Sequence, residues 1–267
     1  MDRYFSPVRR IQFVALIAVG LGFAASAAAE GFRIETKIYV GKEKEPASTA
    51  TTLFLNGTVY DFISEPEQIA VFRKPPGDKP GRFILLDPER RVRTEFSTEK
   101  LSGAMEKLDK WASQQKDPFL KFAADPKFDE KFDKESGQIL LTSYEENYRI
   151  DTIPAEKPEA LAEYREFLDW YTKLNTLLEA GPPPEPRLRV NAALAKHKVI
   201  PTRVELTRTG DNKPIRAEHD FTWRLSQSDQ KKIDDANASL AAYKLVENEE
   251  FARGMKSDAA DAAANAK

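Results

Sequence analysis

Residues 49–63 read TATTLFLNGTVYDFI, and the fold follows from this stretch. Two runs of β-branched and aromatic residues, 49–55 and 58–63, flank Asn56-Gly57. That pair tolerates positive φ at both central positions of a type I′ turn. So short a link joins antiparallel neighbours, because parallel strands need a long crossover. Upstream, Phe32, Ile34, Thr36, Ile38 and Val40 alternate with Arg33, Glu35, Lys37 and Tyr39, the period of a strand with one wet face. Downstream, strands are predicted over 69–73, 82–86 and 92–96. The links between them, Pro75-Pro76-Gly77-Asp78-Lys79-Pro80-Gly81 and Asp87-Pro88-Glu89-Arg90, cannot continue a strand. Six short strands with tight turns predict an antiparallel meander.

At Ser97 the period changes. Ser97 or Thr98 can cap a helix whose Leu101, Met105, Leu108 and Trp111-Ala112 form one apolar stripe. It must end before Pro118, and Phe119 to Phe122 add a further turn. Strands are predicted again over 128–132, 139–143 and 148–153, with Gly137 in the first turn between them. A long helix from Pro158 to Leu178 carries Leu161, Tyr164, Phe167-Leu168, Tyr171, Leu174 and Leu178 along one side, with Gly181 as its stop. Gly181-Pro182-Pro183-Pro184-Glu185-Pro186 then reads as a stiff connector and a subdomain seam. A short helix over 187–196 follows. A hairpin of 202–209 and 215–225 comes next, and its second arm alternates Ile215, Ala217, His219, Phe221, Trp223 and Leu225 against polar residues, so one face is expected to be buried. Ser226 or Ser228 caps a last helix with Ile233, Leu240 and Tyr243. The expected fold is therefore α+β: a curved antiparallel sheet of about 10–11 strands, an open half-barrel with helices on its concave face.

The ends of the chain carry the address. Arg3, Arg9 and Arg10 precede an uncharged 11–25 run that closes on Ser26-Ala27-Ala28-Ala29. This predicts a signal peptide at 1–29, cleaved after Ala29, and a periplasmic or secreted protein. The run is shorter than the ~20 apolar residues of a membrane-spanning helix, so no integral span is expected after cleavage. Ile11-Gln12-Phe13 fits a twin-arginine signal poorly, which favours the general secretory route. Residues 30–256 then form one α+β domain, with its seam at 181–186, and the Ala- and Asp-rich 257–267 tail is expected to be disordered. The chain's net charge is −2; the leader sets Arg3, Arg9 and Arg10 against Asp2, so the mature part carries −4. This mild acidity argues against nucleic acid as a partner. With no cysteine in 267 residues, stability must come from packing. Thiol chemistry, Cys-based zinc sites and an N-terminal lipidated cysteine are excluded as well.

No motif specifies a reaction. His197 and His219 lack the spacing of a metal pair. His219 lies on the apolar side of its strand and reads as a core histidine, while His197, between Lys196 and Lys198, suits a helix C-terminus. Glu145-Glu146, Asp129-Glu130 and Asp234-Asp235 read as solvated faces, since neighbours on a strand point to opposite sides. Arg82, Arg90, Arg91 and Arg93 are interleaved with Asp87, Glu89 and Glu95 and read as a solvated strand edge. No GxSxG elbow, phosphate-cradling glycine loop or dinucleotide fingerprint occurs. Catalytic residues, metal ligands and cofactors are thus not expected. What remains is aromatic. Phe54, Tyr60, Phe62, Phe72, Phe83, Trp111, Phe221 and Trp223 either fill the concavity as core or line a cavity for an apolar ligand, and the sequence leaves both open.

The exported meander at 32–97, the Asn56-Gly57-Thr58-Val59-Tyr60 segment, the strand pair around Arg82-Phe83-Ile84-Leu85-Leu86-Asp87 and the helix after the sixth strand resemble the LolA/LolB-like family of periplasmic lipoprotein carriers and receptors. That resemblance implies an incompletely closed barrel of eleven strands, plugged by helices, that binds acyl chains without catalysis. The 158–178 helix and the 181–186 connector depart from the family pattern. The leading expectation is a non-enzymatic envelope protein that holds a lipid, a lipoprotein acyl chain or another hydrophobic partner. Two alternatives stay open: an envelope-polymer hydrolase using paired carboxylates, and a scaffold that binds an envelope protein, with the proline segment as its recognition element.

Overall fold

A computed structural model of the chain describes residues 31–64, 67–75, 77, 79–211 and 213–254; the expected signal peptide and Ala/Asp tail lie outside them. The Asn56-Gly57 hairpin joins β2 (Ser48–Leu55) to β3 (Thr58–Ser64), with φ of 53° at Asn56 and 69° at Gly57. Around it, β1 (Phe32–Val40), β4 (Glu67–Arg73), β5 (Arg82–Asp87) and β6 (Val92–Ser97) complete the meander. The second half adds β7 (Asp129–Asp133), β8 (Gln138–Thr142), β9 (Glu146–Pro154), β10 (Val199–Arg208) and β11 (Ile215–Thr222). β11 pairs antiparallel with β1, which fuses the halves into one twelve-stranded open sheet of order β12-β6-β5-β4-β3-β2-β1-β11-β10-β9-β8-β7. The twelfth strand was not anticipated. β12 (Lys244–Leu245) runs parallel to β6 and covers its edge, so the basic cluster is not on an open edge. Arg90 is ion-paired to Asp87, and Arg82 and Arg93 to Glu95.

Among the described residues, five helices separate or follow the strands: α1 (Thr98–Ser113), α2 (Pro118–Ala124), α3 (Pro158–Glu179), α4 (Glu185–His197) and α5 (Gln227–Ala242). A further helical segment at 248–254 is tied to the sheet by Thr94, whose hydroxyl donates to Val246 O and Asn248 Oδ1. Ser97 caps α1, Asp117 caps α2, and Ser226 with Asp229 forms a capping box on α5. The left-handed residue that ends α3 is Ala180 (φ 51°, ψ 42°), not the expected Gly181.

Strand register sorts the side chains into two faces. Phe32, Phe54, Val59, Phe72, Phe83 and Phe96 stand opposite one another in a single row across six strands. This inner face receives α3, whose Tyr164, Phe167 and Leu174 are buried against it. The alternate residues Leu53, Tyr60, Val71, Ile84 and Leu86 form a second cluster, on the outer face, with Ile233 and Ala236 of α5. Placing every helix on one face was therefore wrong for α5: β2 to β5 are apolar on both sides, and each side needs a cover. A third cluster joins α4 (Val190, Ala193, Leu194) to β8, β9 and β10. Each fully buried Phe, Leu or Ile contributes roughly 1.5–3 kcal/mol relative to exposure.

Candidate functional site

The row of phenylalanines fills the inner face only as far as β1. Farther along the same face of β1, Ile38 stands opposite Ala217 of β11, and Ala217 opposite Val204 of β10. Short side chains there leave a cavity of about 420 Å³ between the sheet, α2, the C-terminal half of α3 and the proline connector. β1 contributes Thr36 and Ile38; β10 contributes Val204, Leu206 and Arg208; β11 contributes Ile215, Ala217 and His219. Phe119 and Ala123 of α2 and Leu168 and Tyr171 of α3 face them, and Pro182, Pro183, Pro184 and Pro186 close one side. The cavity explains why β11 is only half-buried on the face expected to be covered.

Polar groups stand at set points of this wall. Glu146 is buried, contrary to its reading as a solvated carboxylate: it accepts from Arg208 Nε at 2.7 Å and from the Tyr148 hydroxyl at 3.1 Å. Its signal was parity, since Glu146, Tyr148 and Ile150 share a face of β9. Thr36 Oγ1 and His219 Nδ1 are 3.0 Å apart, and burial, then the charge of Arg187, pushes the imidazole down to about 3. His219 is half-buried at the cavity wall rather than enclosed in the core as expected, and only half of its hydrogen-bonding capacity is met, because Nε2 is sealed from solvent without a partner. Deeper under α3, the buried Asp61 accepts from Thr52 Oγ1 at 2.7 Å and from Tyr171. Burial raises its pKa.

None of the eight aromatic residues expected to line a cavity lines this one, although Phe72 borders a separate concavity with Val59, Lys74 and Pro75. Phe54, Phe72 and Phe83 are buried beneath α3, with Phe221 and Trp223 packed at the margin of that cluster. Phe167 meets the first three at ring distances of 5.8, 6.3 and 6.2 Å. Tyr60 and Phe62 lie on the outer face under α5, and Trp111 is 50% exposed on α1. Aromatic bulk consumes space, so the void opens where side chains are small.

His197, the other histidine, is at 2.7 Å from Glu130 and packs on the Phe132 ring. Among the described residues no group of three or more His, Cys, Asp or Glu side chains is placed to hold a metal ion, and no helix is long and apolar enough to cross a membrane. The proline segment does not present an exposed extended strand: Pro183, Pro184 and Pro186 are buried, and Pro184 is helical (φ −82°, ψ −1°).

A carboxylate pair sits outside the cavity, where Glu185 at the start of α4 lies beside Asp109 of α1 and each keeps one buried oxygen without a donor. Burial, then the charge of Asp109, lifts Glu185 to about 7; burial also raises Asp109. Folding thus tightens proton binding. The pair's contribution to stability is complete below the ordinary carboxylate range and drains away as pH rises through about 7. Thermal melts between about pH 5 and 8 should show E185Q gaining on the parent as the pH rises; a constant difference between the two would contradict the raised Glu185 carboxyl.

No family model matches the chain, and none of the curated proteins compared is detectably similar to it.

Proposed function

We propose that this chain is an exported, non-enzymatic protein of the cell envelope whose sheet curves as a half-barrel around α3 and holds a lipid or other hydrophobic ligand. The observation that carries this reading is the change along one face of β1, from the packed phenylalanine row to the Ile38–Ala217–Val204 row beside a 420 Å³ cavity. That volume lies in the ~300–1,000 Å³ range of small-molecule sites, which are mostly apolar with a few placed polar groups. The wall of aliphatic, proline and aromatic residues around Glu146, Arg208 and His219 has that character. Of the two acids that line it, Glu146 is tied to Arg208 and to the Tyr148 hydroxyl, which gives it a structural employment in place of acid–base work.

Ala217→Trp tests the reading by filling the void from the sheet side. Binding of a neutral apolar fluorophore such as N-phenyl-1-naphthylamine should weaken about tenfold or more, while the melting temperature holds or rises, because a side chain placed in a void adds contacts without crowding. Unchanged binding by the variant, or no binding by the parent protein, would remove the proposal.

A further inference from the structure

Two arginines line the cavity, and they differ. Arg208 is neutralised by Glu146 at 2.7 Å. Arg187, in the first turn of α4, forms neither an ion pair nor a side-chain hydrogen bond among the described residues, and its Nη1 is buried without a partner. Arg187 is half-buried, so solvent reaches part of the guanidinium, but the enclosed Nη1 has given up its water without gaining an acceptor, which is costly. Arg187 shares the cavity wall with Tyr148 of β9, Tyr171 of α3 and His219 of β11. His219 Nε2 is the second buried polar atom on the same cavity wall without a partner. The neutral imidazole shares Nδ1 with the Thr36 hydroxyl. When that hydroxyl donates, the ring proton resides on Nε2 and the imidazole becomes a second donor.

Building on the hydrophobic-ligand reading above, we propose that the ligand is a single-chain amphiphile with a carboxylate head, the head held by Arg187 with support from His219 Nε2–H and the chain lying along Ile38, Val204, Leu206 and Ala217. A guanidinium presents planar, forked donors suited to a carboxylate. One unpaired cation matches one negative charge, whereas a phosphate would bring nearly two into a cavity that Glu146 and Glu179 also line. A cavity of 420 Å³ suits one chain better than two.

The test uses displacement of N-phenyl-1-naphthylamine from the full mature protein by dodecanoate, dodecanol and dodecyl phosphate. Dodecanoate should bind about tenfold or more tightly than dodecanol, and Arg187→Met should abolish that preference while leaving dodecanol within about twofold. His219→Leu should weaken dodecanoate by a smaller factor. Free of ligand, R187M should melt at or above the parent's temperature, since it deletes an enclosed Nη1 donor that has no acceptor. Equal binding of dodecanoate and dodecanol, or tighter binding of dodecyl phosphate, overturns the carboxylate head and leaves the apolar cavity standing. Failure of every ligand, fluorophore included, removes the hydrophobic-ligand reading itself.

Discussion

Phe167→Ala should lower stability by about 3–5 kcal/mol, the range for removing a buried Phe side chain. Phe167 is 2% exposed and is the side chain through which α3 grips the inner face. Its ring lies 5.8 Å from Phe54, 6.3 Å from Phe72, 6.2 Å from Phe83 and 5.1 Å from Tyr171. Phe54, Phe72 and Phe83 are held by the strands in a register that cannot close the gap without breaking ladder hydrogen bonds, so relaxation is limited and the cavity term remains large. In a protein of this size each kcal/mol is worth ~2–4 °C, which puts the fall in melting temperature at roughly 6–20 °C. Trp111→Ala is the contrast. It removes a larger side chain, but one 50% exposed on α1, and surface changes of that kind usually stay within about 0.5 kcal/mol. A loss below about 1 kcal/mol for F167A in calorimetry or urea titration would mean that α3 is not anchored through this stack.

The contrast shows which parts of the molecule the sequence exposes. Local chemistry placed the Asn56-Gly57 hairpin, the strands on either side and the caps of α1 and α5, because each depends on a few adjacent residues. Register carried more information than was used. A two-residue turn between Leu55 and Thr58 sets Phe54 opposite Val59 and Leu53 opposite Tyr60, so Phe54 and Tyr60 must lie on different faces. Grouping them as one lining ignored that parity. The unbroken apolar run Phe83-Ile84-Leu85-Leu86 likewise signalled a strand covered on both sides, which is where α5 is needed. The cavity has no local signature. It arises where Ile38, Ala217 and Val204 meet, three residues from distant parts of the chain, and only the β1–β11 pairing brings them together. Arg187 was hidden for the same reason: nothing near it in sequence indicates that its charge is left unmatched.

Asp61→Ala should cost about 2–4 kcal/mol, because it strands the buried Thr52 hydroxyl at about 1–3 kcal/mol and takes the acceptor from the half-buried Tyr171 hydroxyl at about 1 kcal/mol. Asp61 stands in the row Ile34, Thr52, Asp61, Ala70, Leu85 and Thr94, next to the phenylalanine row on the inner face. It is 3% exposed and accepts from Thr52 Oγ1 at 2.7 Å and from the Tyr171 hydroxyl of α3. Removing the acceptor leaves the Thr52 hydroxyl enclosed with no solvent to turn to and the half-buried Tyr171 hydroxyl without its partner on the sheet, whereas Y171F leaves Asp61 with its Thr52 bond. The D61A/Y171F double variant should therefore lose less than the sum of the single losses, by about 1 kcal/mol or more. Asparagine separates charge from hydrogen bonding. Burial raises the Asp61 pKa in the folded state, so its stability contribution is whole below the ordinary carboxylate range and falls as pH rises through the folded value. D61N keeps an acceptor without a charge to desolvate. It should improve relative to the parent protein as pH rises, and it should exceed D61A at every pH. If Asn proves as damaging as Ala, or if Ala costs less than about 1 kcal/mol, the carboxylate is not the group that fastens α3 to the inner face.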